Sequence, residues 1–182
     1  MNYATKNLEE DHVFILTLID VMEIMTKTPE PNVAHLEEVV DLIRNYADKL
    51  HHAKEESLLF PLMAERGFSM QQGPIAVMLH DHAEGRNFVK GITENIRLLK
   101  EGDLPAINLV YYNMLGYNEL LRNHIAKENN VLFRMADNAL SASDQQSLLE
   151  KFKVVEDQNK SNNIKSDFAA RIDTLGQIYN PF

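Results

Sequence analysis

Two ten-residue stretches, "HHAKEESLLF" at residues 51–60 and "HIAKENNVLF" at residues 124–133, are near copies of each other. The register pairs His51 with His124, Ala53 with Ala126, Lys54 with Lys127, Glu55 with Glu128, Leu59 with Leu132 and Phe60 with Phe133. In each copy a histidine stands four residues before a glutamate, which puts both side chains on one face of a helix. His52 faces Ile125 and Glu56 faces Asn129, so only His51 and Glu55 of the two doublets recur. A second repeat, Asp11-His12 and Asp81-His82, precedes each copy and is followed each time by an apolar stretch. The chain therefore reads as two helical hairpins: His12 followed by His51 and Glu55, then His82 followed by His124 and Glu128.

Apolar residues recur at spacings of three and four through most of the chain, with no sustained two-residue alternation bounded by hairpin turns. The fold class is all-α. A first helix is expected over about 5–27, stopping near Pro29 and Pro31, and a second over about 32–66, with Gly67 as its C-terminal stop. A third runs through "GPIAVMLHDHAEGRNFVKGITENIRLLK" to Gly102. Asp103 reads as the N-cap of a fourth helix that ends near Asn138, with Pro105 in its first turn. Four long helices with short connections imply an up-down-up-down four-helix bundle over residues 1–140. Residues 141–182 read as a C-terminal helical extension packing on the bundle, without chemistry of its own. Its first helix opens on a capping box of Ser143 with Gln146, and the polar "EDQNKSNNIKSDF" reads as a loop or fraying stretch before a last short helix.

The chain has 182 residues, a net charge of −9 and no cysteine. An acidic chain offers no broad positive field for phosphates, so nucleic acid and membrane surfaces are poor partners. Neither a leader segment nor a run long enough to span a bilayer is visible, and the protein reads as cytoplasmic. The lack of thiols leaves nitrogen and oxygen as the only metal donors. Imidazoles and carboxylates placed among Leu, Val and Phe are costly to bury without partners. A pair of cations satisfies them, each ion taking imidazole nitrogens while two carboxylates bridge across roughly 3.5–4 Å. A single His-x-x-x-Glu is usually a surface pair; two copies in matching flanks, with two Asp-His steps, point to a di-metal site.

These residues resemble the hemerythrin-like family of HHE cation-binding domains, through "DH", "HHAKEESLLFPLM", "GPIAVMLHDHAEGR" and "RNHIAKENNVLF" over roughly residues 8–138. The resemblance implies a non-heme di-iron centre in a four-helix bundle, with His12, His51, His82 and His124 as ligands and Glu55 and Glu128 as bridges. It further implies O2 or NO as a small ligand, with an electron-donor protein as a possible partner. Zinc or manganese would be accepted by the same donors. Oxygen-carrying members place a second histidine four residues after the third-helix ligand, where this chain has Arg86. The balanced set of four His and two Glu is more similar to the repair-of-iron-centres branch, although the cysteine-bearing segment common there is not matched. Whether the centre turns over a substrate, or instead stores iron or senses O2 or metal for a partner, is left open by the sequence.

Arg86, one turn beyond His82, should point inward. It reads either as an ion pair with a buried or bridging carboxylate or as a donor beside an open metal position. Tyr117, two turns before His124, reads either as a hydroxyl reaching a ligand or bound oxygen species or as a buried tyrosine bonded elsewhere. His52, about 100 degrees around an α-helix from His51, is expected at the surface or behind the ligands. His80 is expected at the surface and His35 has no metal role. Only Glu9 to His12 fits the Glu-x-x-His spacing of ferritin-like di-iron proteins, which sets that class aside.

Overall fold

The computed structural model describes residues 3–28, 32–158 and 164–179, and all the regular structure among them is helical. Helix α1 is Ala4–Met25. Helix α2 (33–65) starts at Val33, with the Asn32 side chain accepting from the His35 amide at 3.3 Å. It then widens into π-helical turns at Ile43–His52 and Glu55–Leu59 before closing as Phe60–Glu65. Gly67, at φ 96°, ends it with a backbone conformation that glycine adopts freely. Helix α3 is Gly73–Lys100, and α4 (106–139) carries its own π-helical turn at Glu128–Leu132. Helices α5 (Ala142–Gln158) and α6 (Ile164–Tyr179) complete the chain.

Three local expectations change. Asp103 does not cap α4 with its side chain; its backbone carbonyl accepts the Ala106 amide at 3.1 Å. The capping box of α5 is Ser141 with Asp144, two residues before the one expected: Ser141 Oγ accepts the Asp144 amide, and Asp144 Oδ2 accepts the Ser141 amide. The polar stretch is helical at 156–158 and 164–168, its remaining five residues lie outside the described residues, and α6 at 16 residues is not short.

Two apolar clusters fill the interior. The larger includes Ile15, Leu18, Met22, Leu36, Leu50, Val89, Ile92, Met114 and Leu121, and takes in Phe168, Ile172 and Leu175 of α6. The second gathers Leu8, Leu59, Phe60, Met63, Met78, Leu132 and Phe133, with Leu148 and Phe152 of α5. Each buried side chain of this size contributes about 1.5–3 kcal/mol. Helices α3 and α4 approach each other closely: a Cβ on Gly116 would meet the Phe88 ring at 2.4 Å, so only glycine lets Phe88 lie there. The order of clusters alternates along the chain. Helix α1 passes from the second to the first (Leu8, then Ile15), α2 from the first to the second (Leu50, then Leu59), α3 back again and α4 forward again. At every crossing stands one of the histidines picked out by the repeat.

Candidate metal centre

Between the two clusters lies a layer of buried polar side chains: Asp11, His12, His51, His52, Lys54, Glu55, Asp81, His82, His124 and Glu128. His12 and His51 face each other with their Nε2 atoms 3.0 Å apart, and His82 and His124 do so at 3.2 Å. Glu55 reaches both pairs, with Oε1 at 3.6 Å from His51 Nε2 and Oε2 at 3.4 Å from His82 Nε2. Glu128 Oε2 lies 3.2 Å from both His12 Nε2 and His124 Nε2. The six residues of the repeat are thus in one place, each carboxylate set between an imidazole of one hairpin and an imidazole of the other.

The outer nitrogens fix what the inner ones can do. His12 Nδ1 is 2.8 Å from Asn129 Oδ1, and His82 Nδ1 is 2.7 Å from Glu56 Oε1. His124 Nδ1 is 3.4 Å from Asp81 Oδ2, and His51 Nδ1 is 3.5 Å from Asp11 Oδ2. With the proton held on Nδ1 by these oxygens, every Nε2 turns a lone pair inward. The interior is then lined by acceptors alone, and among the described residues both oxygens of Glu55 and of Glu128 lack a hydrogen-bond partner of good geometry. Protons, hydrogen-bond donors or cations satisfy such a lining, and no side chain among the described residues offers both Glu55 oxygens a well-placed donor. Donors about 2.1 Å from one ion and at right angles to each other lie roughly 3 Å apart, which fits the facing nitrogens. Among the described residues two groups of side chains could hold an ion: His12, His51, Glu55 and Glu128, and His52, Glu55, His82 and His124. Glu55 belongs to both.

His52 is not at the surface. It is 6% exposed and stacks on His82 with ring centroids 3.8 Å apart. The π-helical turn explains the difference, since a wider turn reduces the angular step between neighbours and swings His52 towards the face of His51. Burial and the neighbouring His82 charge push the His52 imidazole well below its ordinary pKa. His80 is exposed, and His35 contacts Tyr179 far from this layer. Arg86 stays outside, 44% exposed, and pairs with Asp48 and Glu56, each at 2.7 Å, and with neither Glu55 nor Glu128. Tyr117 is buried with its ring over Gly85. Both line a cavity of about 120 Å³, and so does His52.

The C-terminal helices reach this layer, which no local sequence signal announced. Lys54 Nζ is bonded to Asp11 at 2.8 Å, Glu156 at 2.6 Å and Asn7 at 2.8 Å, and Lys165 Nζ contacts Asp11 Oδ1 at 2.8 Å. Burial disfavours the Asp11 charge. The His51 hydrogen bond and the Lys54 and Lys165 charges outweigh it and hold the carboxyl well below the usual range.

Without metal, protons must occupy the centre. Burial opposes a charge on His124, but Glu128 and Asp81 push it up to about 10, while His12 and His124 hold Glu128 well below its ordinary value. A raised histidine adds stability that is complete below its unfolded value of 6.5 and lost as pH rises towards 10. A depressed glutamate adds stability above its unfolded 4.5 that is lost as pH falls. Because the depressed His52 gives up its contribution as pH falls below 6.5, metal-stripped protein should melt highest near pH 6.5 and progressively lower from there to pH 9. Metal affinity should rise over that alkaline range, because binding expels the same protons. Thermal midpoints against pH, with and without chelator, check this; a flat stripped profile would contradict the proton-filled centre.

Comparison with known proteins agrees with this geometry. Residues 3–136 match the family model "Hemerythrin HHE cation binding domain". The chain is similar to proteins named iron-sulfur cluster repair protein YtfE. It is 37% identical over 92 residues to that of Enterobacter sp. (strain 638), and 37% identical over 90 residues to that of Escherichia coli O157:H7. To that of Shigella boydii serotype 18 (strain CDC 3083-94 / BS512) it is 38% identical over 92 residues. Each match covers 47% of this chain and 40% of the relative, so the matched region spans less than half the length of these proteins. No solved structure gives a significant match. With the family model covering the four helices and all six residues of the repeat, the chain belongs to the hemerythrin HHE cation-binding domain family.

Proposed function

We propose that the chain holds two iron ions through His12, His51, Glu55, His82, His124 and Glu128, the two glutamates bridging, and that the reduced centre binds or reduces a diatomic ligand, O2 or NO. The observation that carries this reading is the buried, acceptor-only lining that two donor groups share through Glu55. Zinc and manganese suit the same donors, and iron is the choice that supplies electrons to a small ligand. The outer oxygens keep each Nδ1–H pointing away from the centre. Phe133 stacks on His12 at 5.6 Å and Phe60 on His82 at 6.1 Å, which puts an apolar ring against each pair. The alternating order of the apolar clusters supports an up-down-up-down bundle over residues 1–140. The apolar contacts of α5 and α6 support reading 141–182 as an extension packed on it.

A second reading, an iron-storage or O2- or metal-sensing module without turnover, draws support from the relatives, whose printed name concerns iron-sulfur cluster repair. Reduced, iron-loaded protein given excess electron donor separates the two. Consumption of many equivalents of O2 or NO per chain is the expected result for an enzyme. A single stoichiometric, reversible event assigns the module, and no reaction with either gas removes the diatomic ligand from the proposal.

A further inference from the structure

The pseudo-twofold that relates the two hairpins fails at one inward position. His12 and His82, His51 and His124, Glu55 and Glu128, Asp11 and Asp81, and Phe60 and Phe133 all correspond, in position and in contacts. His52, however, corresponds to Ile125, a buried member of the larger apolar cluster. One half of the centre therefore has an imidazole where the other half has an alkyl side chain.

We infer that His52 is itself a metal ligand, so that one ion is held by three imidazoles, from His52, His82 and His124, and the other by two, from His12 and His51. This rests on the di-metal reading above. His52 Nε2 is buried and has no hydrogen-bond partner among the described residues, an arrangement too costly to keep without a cation or proton to meet it. Its ligand atom lies within 4.8 Å of those offered by Glu55, His82 and His124. Its Nδ1 is turned to Asp48 Oδ1 at 3.4 Å, the arrangement found at the four other inward histidines. Asp48 is in turn gripped by Arg86, through Nε at 2.9 Å and a second nitrogen at 2.7 Å. That same guanidinium holds Glu56, the oxygen behind His82. Arg86 thus positions two imidazoles of one half through two carboxylates, and Asn129, the counterpart of Glu56, has no such clamp assigned to it by the repeat. The two ions become inequivalent.

The test counts imidazoles and needs no turnover. Chelator-stripped protein is loaded with Co2+, and its hyperfine-shifted, solvent-exchangeable Nδ1–H proton resonances are recorded in wild type and in His52→Gln. Five such resonances in wild type, with one lost in the variant, are expected; four in both overturns the assignment. Co2+ titration should show two equivalents per chain in wild type. In His52→Ala, one of them should be weakened by roughly ten- to hundred-fold or more. Because His52 lines the 120 Å³ cavity and His12 does not, added imidazole should restore that affinity in His52→Ala and do nothing for His12→Ala. If wild type binds two equivalents and His52→Ala matches it, this inference falls and the di-metal reading stands. If wild type binds none, both fall.

Discussion

Glu55→Gln is expected to abolish the thermal stabilisation that metal gives this protein and, at alkaline pH where the buried histidines have shed their extra protons, to leave the metal-free protein at least as stable as before. The two halves of that result have one cause. Once the facing histidines are neutral, the metal-free chain leaves both buried oxygens of Glu55 without a donor, and an orphaned buried acceptor costs about 1–3 kcal/mol. An amide of the same size carries no charge, and its N–H groups donate to the Nε2 lone pairs of His51 and His82 that Glu55 now faces. The same amide cannot bridge two cations or offset their charge, and Glu55 is the residue common to both donor groups. Both ions should be lost together, unlike the loss from a histidine that serves one half. Metal at 100 to 1,000 times its dissociation constant stabilises wild type by about 2.7–4.1 kcal/mol. At about 2–4 °C per kcal/mol for a chain of this size, that is a rise of roughly 5–16 °C, which Glu55→Gln should lack. Elemental analysis and thermal melts with and without chelator measure both halves. Two retained equivalents with an unchanged rise would show that Glu55 does not bridge.

The residues that the sequence disclosed most clearly are those related by repetition. His51 with Glu55 and His124 with Glu128 are distinguishable from surface pairs because their flanks match, and a helical period suffices to put each pair on one face. His52 could not be recovered in the same way. An α-helical period turns it away from His51, and the structure reaches it through a π-helical segment whose wider turn has no compositional mark. The usable signal was Asp48 four residues before His52, an outer carboxylate at helical spacing. Arg86 was expected to point inward, either to a buried or bridging carboxylate or to an open metal position; it pairs instead with Asp48 and Glu56, because its long side chain reaches across to α2 while keeping its head in solvent. Lys165 and Glu156 were invisible as neighbours of Asp11 because the contact spans most of the chain. Only the tertiary packing of α5 and α6 against α1 creates it.

That packing makes the two repeats energetically unequal, and Lys54 is where the inequality is greatest. Lys54 and Lys127 occupy the same place in the repeat, and each binds the aspartate behind a histidine. Lys127 is 43% exposed, so solvent screens its pair with Asp81 and Lys127→Met should change stability by no more than about 1 kcal/mol. Lys54 is fully buried, and its three N–H groups are spent on Asn7, Asp11 and Glu156. Methionine preserves most of its volume and its packing near Phe152 but leaves Asp11 buried beside His51 with Lys165 as its remaining cation. Removing one partner from a buried network of this kind costs about 3–5 kcal/mol, and hence roughly 6–20 °C in Tm. The loss should be larger at low ionic strength than any seen for Lys127→Met, and it should appear in metal-free protein, because it concerns the charge network and not the ions. Weaker metal binding should accompany it, since Asp11 orients His51. Matched melts of Lys54→Met and Lys127→Met, with chelator present, decide the matter. Equal and small shifts would mean that α5 and α6 do not stabilise the charge behind His51.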